Sequence, residues 1–148
     1  MKQLLTIILA RLTVMGCKGN SNANTQEAKD DAKGKKILIA YYSRRGMNYT
    51  DKGIVDLKTG NTERMALMIQ KHVGGDLFRI DTKKSYPADY TQCTEVAKQE
   101  KNDNARPELN DTVKDIAQYD VVYIGYPIWW GTFPMAVFTF LEQYDLSG

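Results

Sequence analysis

Between Tyr119 and Gly131 the chain carries a segment that fits few folds. Val121 to Ile124 holds no charge, and Gly125, Tyr126 and Pro127 then turn the chain before two consecutive tryptophans, Trp129 and Trp130. An unbroken apolar run of this length reads as a strand buried on both faces of a parallel sheet. In open α/β sheets, ligands sit just beyond the carboxyl ends of the strands. Two large flat side chains at such a position suit a flat aromatic ligand, by stacking. The same two residues serve equally well as the start of a helix packed on the core, and this segment alone leaves both readings open.

Ile37 to Tyr42 is a second charge-free run and the expected first strand, with Ser43 at its carboxyl end. Asn61, Thr62, Glu63 and Arg64 open a helix whose apolar positions Met65, Met68, Ile69 and Val73 share one face. Asn61 is expected to cap it and Gly74-Gly75 to end it. Leu77 to Ile80 reads as a short strand, and a polar helix is expected from Asp89 to Lys101, followed by the breaker Arg106-Pro107. After the Val121 strand comes a helix over Met135 to Tyr144, anchored by Val137, Phe138 and Leu141. Alternation of strand and helix predicts a parallel sheet with right-handed crossovers. Ser43 and the group Thr59, Gly60, Asn61 and Thr62 all fall between the first strand and the first helix. Backbone amides and short hydroxyls at a helix N-terminus hold a phosphate without needing Lys or Arg.

With these two motifs in place, residues 36–148 resemble a flavodoxin. The resemblance implies a flavodoxin-like, doubly wound parallel α/β sheet of strand order 2-1-3-4-5, with a non-covalent FMN at the switch between strands one and three. It assigns Ser43, Thr59, Asn61 and Thr62 to the FMN phosphate, with Gly60 permitting close backbone approach. Pro127, Ile128, Trp129, Trp130 and Gly131 are assigned to the isoalloxazine ring, Gly131 or a neighbouring peptide facing its N5. The implied function is electron transfer with a redox partner protein or a small-molecule acceptor. Alternatives are an FMN-dependent NAD(P)H:quinone-type oxidoreductase and a truncated fragment or interaction module that binds no flavin.

Two departures from the family pattern are visible. Arg44 to Lys58 intervenes between Ser43 and Thr59, so this insertion must fold outward for both to reach one phosphate. Its Gly46, Asn48, Asp51 and Gly53 suit turns, and Arg44 and Arg45 are expected to be solvated, the alternative being that one of them reaches the phosphate. The chain also stops at Gly148, where a fourth strand is due, so the domain is expected to be incomplete at its C-terminus and truncated after the third strand and its helix. The third strand would then be an apolar edge open to self-association.

Met1 to Ala10 has a basic start and a short apolar stretch, and Val14-Met15-Gly16-Cys17 follows. Residues 1–17 resemble a bacterial lipoprotein signal, which implies lipidation of Cys17, a membrane-anchored extracytoplasmic protein and a flexible linker over 18–35. Arg11 interrupts the apolar stretch; the alternative is an uncleaved amphipathic N-terminus on a cytoplasmic protein. Residues 1–35 hold six Lys/Arg against three Asp/Glu, and residues 36–148 fourteen against fifteen. The domain therefore carries no basic stripe for nucleic acid. Two distant cysteines and the single His72 make neither a disulfide framework nor a metal site.

Overall fold

The computed structural model describes residues 32–146. The expected signal segment 1–17, the expected lipidation site Cys17 and most of the expected linker 18–35 lie outside the described residues.

Strand β1 (Ile37–Tyr42) is buried at every position, as its charge-free sequence requires. It is the centre of a three-stranded parallel sheet, between β4 (Asp76–Ile80) and β5 (Val121–Gly125). Leu38 pairs with Asp76 on one side and Ile37 with Val121 on the other. In order of the parallel strands this is second, first, third, the beginning of the expected flavodoxin-like arrangement.

Side chains of β1 alternate between two cores. Ile37, Ile39 and Tyr41 meet Ala66 of α1 (Asn61–Val73), with Ile69 and Val73 beside it. Leu38, Ala40 and Tyr42 join Ile80, Leu109, Ala136, Val137 and Phe140 on the opposite face. Those last three belong to α3 (Met135–Glu142). Helices on both faces make the sheet doubly wound. β5 is half-buried along its length, and among the described residues no strand pairs with its outer edge.

The insertion folds outward as expected. β2 (Gly46–Thr50) and β3 (Gly53–Leu57) form an antiparallel hairpin outside the main sheet, turning at Asp51-Lys52. Asn48 lies within β2 rather than in the turn. Helix α2 (Tyr90–Asn102) begins within a residue of its predicted start, because the Asp89 carboxylate accepts the Gln92 amide at 2.8 Å.

Three expectations need correction. Asn61 does not cap α1: Gly60 holds the cap position with extended backbone, and Asn61 is the first helical residue. The α1 stripe is Ala66, Ile69 and Val73, while Met65 and Met68 are each 56% exposed. Small Ala66 allows the helix close to the sheet and turns the two methionines aside. In α3 the deep anchors are Val137 and Phe140, both with no measurable exposure. Phe138 is half-buried beneath the Arg106 guanidinium, 5.2 Å from its ring centre, and the helix ends at Glu142 rather than Tyr144.

Candidate functional site

The carboxyl ends of β1 and β5 meet the N-terminus of α1. Ser43 follows β1 directly and is buried, and its Oγ accepts the Glu63 amide at 3.0 Å. Gly60 presses so closely on this corner that a Cβ there would lie 2.3 Å from Ser43 Oγ and 2.4 Å from the Arg44 carbonyl oxygen. On the other side a Cβ on Gly125, the last residue of β5, would stand 3.2 Å from Thr62 Cγ2. Ser43, Gly60, Thr62 and the end of β5 are thus brought together across the hairpin that separates them in sequence.

At this corner the helix end is open. Arg64 closes the first helical turn onto the Gly60 carbonyl at 3.0 Å. Among the described residues, the amides of Gly60, Asn61 and Thr62 donate to no protein acceptor. Such amides, with the positive end of the helix dipole, form a receptor for an anion. Asn61 is exposed and Thr59 and Thr62 half-buried around it.

Glu63, at the third helical position, is the acid that the sequence reading passed over. Its carboxylate accepts Arg45 Nη2 at 2.7 Å and Arg79 Nη1 at 3.1 Å, and Arg79 Nη2 also donates to the Ser43 carbonyl at 2.9 Å. The Arg45 hydrogen bond is the largest cause that holds the Glu63 carboxyl below its ordinary range. Asp81 also stands 4.0 Å from Arg79 Nε, so two guanidiniums and two carboxylates form an ion-pair network beside the open amides. An acid at this position of a predicted helix was the available signal. Neither arginine of the insertion is simply solvated. Arg45 is 57% exposed but paired, and Arg44 donates to the Pro87 and Ala88 carbonyls at 2.9 and 2.6 Å.

The tryptophan loop is a tight turn. Trp129 and Thr132 exchange backbone hydrogen bonds at 2.9 and 3.0 Å, with Trp130 (φ +51°) and Gly131 (φ +80°) between them in the left-handed region. Two consecutive positive φ values define the tightest hairpin turn, and a bulky residue there is strained. Trp129 does not begin a helix, yet its ring belongs to the core side. It meets Tyr42 and Tyr86 edge-on, with centroids 5.3 and 5.2 Å away. Trp130 leans on α2 instead: its Nε1 donates to the Thr94 carbonyl at 2.9 Å and Lys98 lies 5.3 Å from its ring centre. Pro127 is half-buried, Gly131 is exposed, and Ile128 is 74% exposed.

Tyr86 was invisible to the sequence reading because it stands in an irregular segment without periodicity. Its hydroxyl donates to Glu100 Oε2 at 2.7 Å. Burial raises both groups, the Glu100 carboxyl above its ordinary range and the Tyr86 hydroxyl further still. Burial likewise pushes the Cys93 thiol up, so it stays protonated on the inner face of α2.

Fold and corner together define a doubly wound α/β protein with an open helix N-terminus at the switch between its first and third parallel strands. The flavodoxin family model matches residues 36–148. A crystal structure of a "putative flavoprotein" from Bacteroides eggerthii is similar, with 34% identity and a TM-score of 0.60. The similarity covers 76% of this chain and 65% of that one, so the chain spans about two thirds of the length of the protein it matches. No curated protein matches it. The chain belongs to the flavodoxin family.

Proposed function

We propose that the domain binds FMN by its phosphate at the N-terminus of α1 and serves in electron transfer. The observation that carries this reading is the meeting of Ser43, Gly60 and Thr62 at the end of β5, with three amides of the helix N-terminus that donate to no protein acceptor among the described residues. The amides of Gly60, Asn61 and Thr62 hold the phosphate oxygens, and the Thr59 and Thr62 hydroxyls complete the cradle. Ser43 Oγ, although it accepts from Glu63, keeps its own proton to donate. Pro127, Ile128, Trp129, Trp130 and Gly131 border the ring, with Ile128 and Gly131 offering the accessible surface. When bound, the flavin supplies storage of one or two electrons. The chain supplies position and a dry flank from the Trp129 cluster.

FMN titration of the full chain, followed by flavin fluorescence, tests this. One-to-one quenching at micromolar or lower concentration is expected. Folded protein that leaves flavin emission unchanged through about a millimolar FMN would remove the reading, and an interaction module without flavin would replace it.

A second reading, an FMN-dependent NAD(P)H:quinone-type oxidoreductase, gains from a cavity beside the tryptophan turn. Steady NAD(P)H consumption by holoprotein with a quinone would separate it from an electron carrier that needs a redox partner protein. For the N-terminus the proposal is a lipid on Cys17 and an extracytoplasmic membrane location, with the cytoplasm as alternative; mass spectrometry of the mature chain decides. The open edge of β5 is the proposed route of any self-association, readable by sedimentation.

A further inference from the structure

The hairpin, α2 and the tryptophan turn line an open-sided cavity of about 410 Å³. Small-molecule sites commonly occupy roughly 300–1,000 Å³. None of Ser43, Thr59, Gly60, Asn61 and Thr62 lines it, so it is not the phosphate corner. Tyr90, Cys93 and Ala97 of α2 form one wall and Trp129 and Trp130 another. Most of this lining is apolar or aromatic, and the protonated Cys93 thiol adds no charge.

One end is different. Arg44, just before the hairpin, and Asn48 of β2 line it. Arg45 and Arg79 are paired with Glu63 and Asp81, and Arg106 with Glu142. Arg44 instead donates to main-chain carbonyls of Met47, Pro87 and Ala88, and among the described residues no carboxylate pairs with it. Neutral carbonyls fix the guanidinium fork and leave its charge uncompensated. Asn48 Nδ2 donates to the Arg44 and Gly46 carbonyls, which directs the amide oxygen away from them. A fixed cation at the edge of an aromatic slot selects a flat ring carrying an oxygen acceptor and disfavours cationic ligands.

We propose that this cavity binds a small planar compound of the quinone class, with a ring oxygen at Arg44 and the ring among Tyr90, Trp129 and Trp130. A complete dinucleotide exceeds the space. The site is built by the insertion: without the hairpin there is neither Arg44 in this position nor a closing wall. It is separate from the phosphate corner but shares Ile128, Trp129 and Trp130 with the segment assigned to the flavin ring, on the side of that segment that meets α2. Its quinone class rests on the oxidoreductase reading.

The test titrates the full chain with 1,4-naphthoquinone, and separately with 2-naphthoate, following tryptophan emission with and without saturating FMN. Saturable one-to-one naphthoquinone binding is expected in both conditions. Arg44→Met should weaken it about tenfold or more by removing the charged donor. Thr94→Phe fills the slot from α2 without touching the carbonyls that hold Arg44, and should abolish binding while FMN affinity stays within about twofold of the parent. Circular dichroism and unfolding midpoints confirm that each variant folds; should Arg44→Met loosen the hairpin, Thr94→Phe still decides. The proposal is overturned by unsaturated binding into the millimolar range, by naphthoquinone affinity unchanged in Thr94→Phe, or by FMN displacing naphthoquinone competitively. Binding of 2-naphthoate without naphthoquinone also overturns the quinone assignment. Naphthoquinone binding by a chain that ignores FMN would support this site and remove the flavin reading alone.

Discussion

Ser43 Oγ caps the Glu63 amide at 3.0 Å, so the first turn of α1 is closed by a residue from the end of β1, twenty positions upstream. Gly60 lies against the same hydroxyl, and a Cβ there would enter both it and the Arg44 carbonyl. Gly60→Ala must therefore displace backbone, and an overpacking cost of about 1–3 kcal/mol is expected, together with loss of FMN binding. Ser43→Ala removes a cap instead, for about 0.5–2 kcal/mol, and should weaken FMN less than Gly60→Ala because the three open amides remain. Urea unfolding and FMN titration of the two variants check the order. Equal flavin affinity in Gly60→Ala and the parent would contradict it.

Glu63 predicts an acid limb. Its folded carboxyl is held below the ordinary value, Arg45 being the principal cause, so the folded state binds its proton less readily than the unfolded state. The stability it contributes is fully present above about pH 4.5, the ordinary glutamate value, and is lost as pH falls through the lower folded value. Glu63→Gln should be less stable than the parent at pH 7, and the difference should shrink on acidification. Unfolding midpoints measured from pH 7 down to pH 3 test this; a constant gap would show that the ion pairs are not its source.

Glu100 predicts the opposite sign. Burial raises its folded carboxyl, the Tyr86 hydrogen bond opposing this only in part. The folded state then holds its proton more readily than the unfolded one. Below about pH 4.5 the group costs nothing, and the cost appears as pH rises through the folded value. Glu100→Gln keeps an acceptor for Tyr86 and removes the buried charge. It should be more stable than the parent at pH 7 and equal to it near pH 4, by the same unfolding series. A variant less stable at pH 7 would mean that the charged carboxylate strengthens the Tyr86 bond by more than its burial costs.

Much of the frame was legible because it rests on local pattern. The charge-free runs Ile37–Tyr42 and Val121–Ile124 read as strands of one sheet, the first central and buried and the second half-buried at its edge, and the alternation of elements leaves few topologies for them. What remained hidden was decided by packing. Met65, Met68 and Ile69 fit a helical period as well as Ala66, Ile69 and Val73 do, and only the approach of α1 to the sheet turns the second set inward, with Ala66 buried and Ile69 and Val73 half-buried. Residues 44–58 carry turn signals, but nothing local says that their hairpin leans toward α2 through Arg44. At the phosphate corner the residue types were readable, whereas the Ser43 cap and the Glu63 ion pairs connect positions that sequence spacing keeps apart.

The two tryptophans, alike and adjacent in sequence, are expected to behave differently. Trp129 sits edge-on between Tyr42 and Tyr86 and packs on the core, so Trp129→Ala should cost about 2–4 kcal/mol, toward the lower end for a half-buried ring. Trp130 is 45% exposed and held at positive φ. Trp130→Gly loses the Thr94 hydrogen bond and the Lys98 contact, worth about 1–2 kcal/mol together, but relieves backbone strain of about the same size. Its stability should stay within about 1 kcal/mol of the parent. Spectra separate the residues further. Trp130→Phe leaves only Trp129, whose emission should be blue-shifted and poorly quenched by acrylamide. Trp129→Phe leaves only Trp130, whose emission should be red-shifted and readily quenched. Identical quenching in the two variants would mean that Trp129 leaves the Tyr42–Tyr86 cleft in solution, and the turn would then present both rings to a ligand.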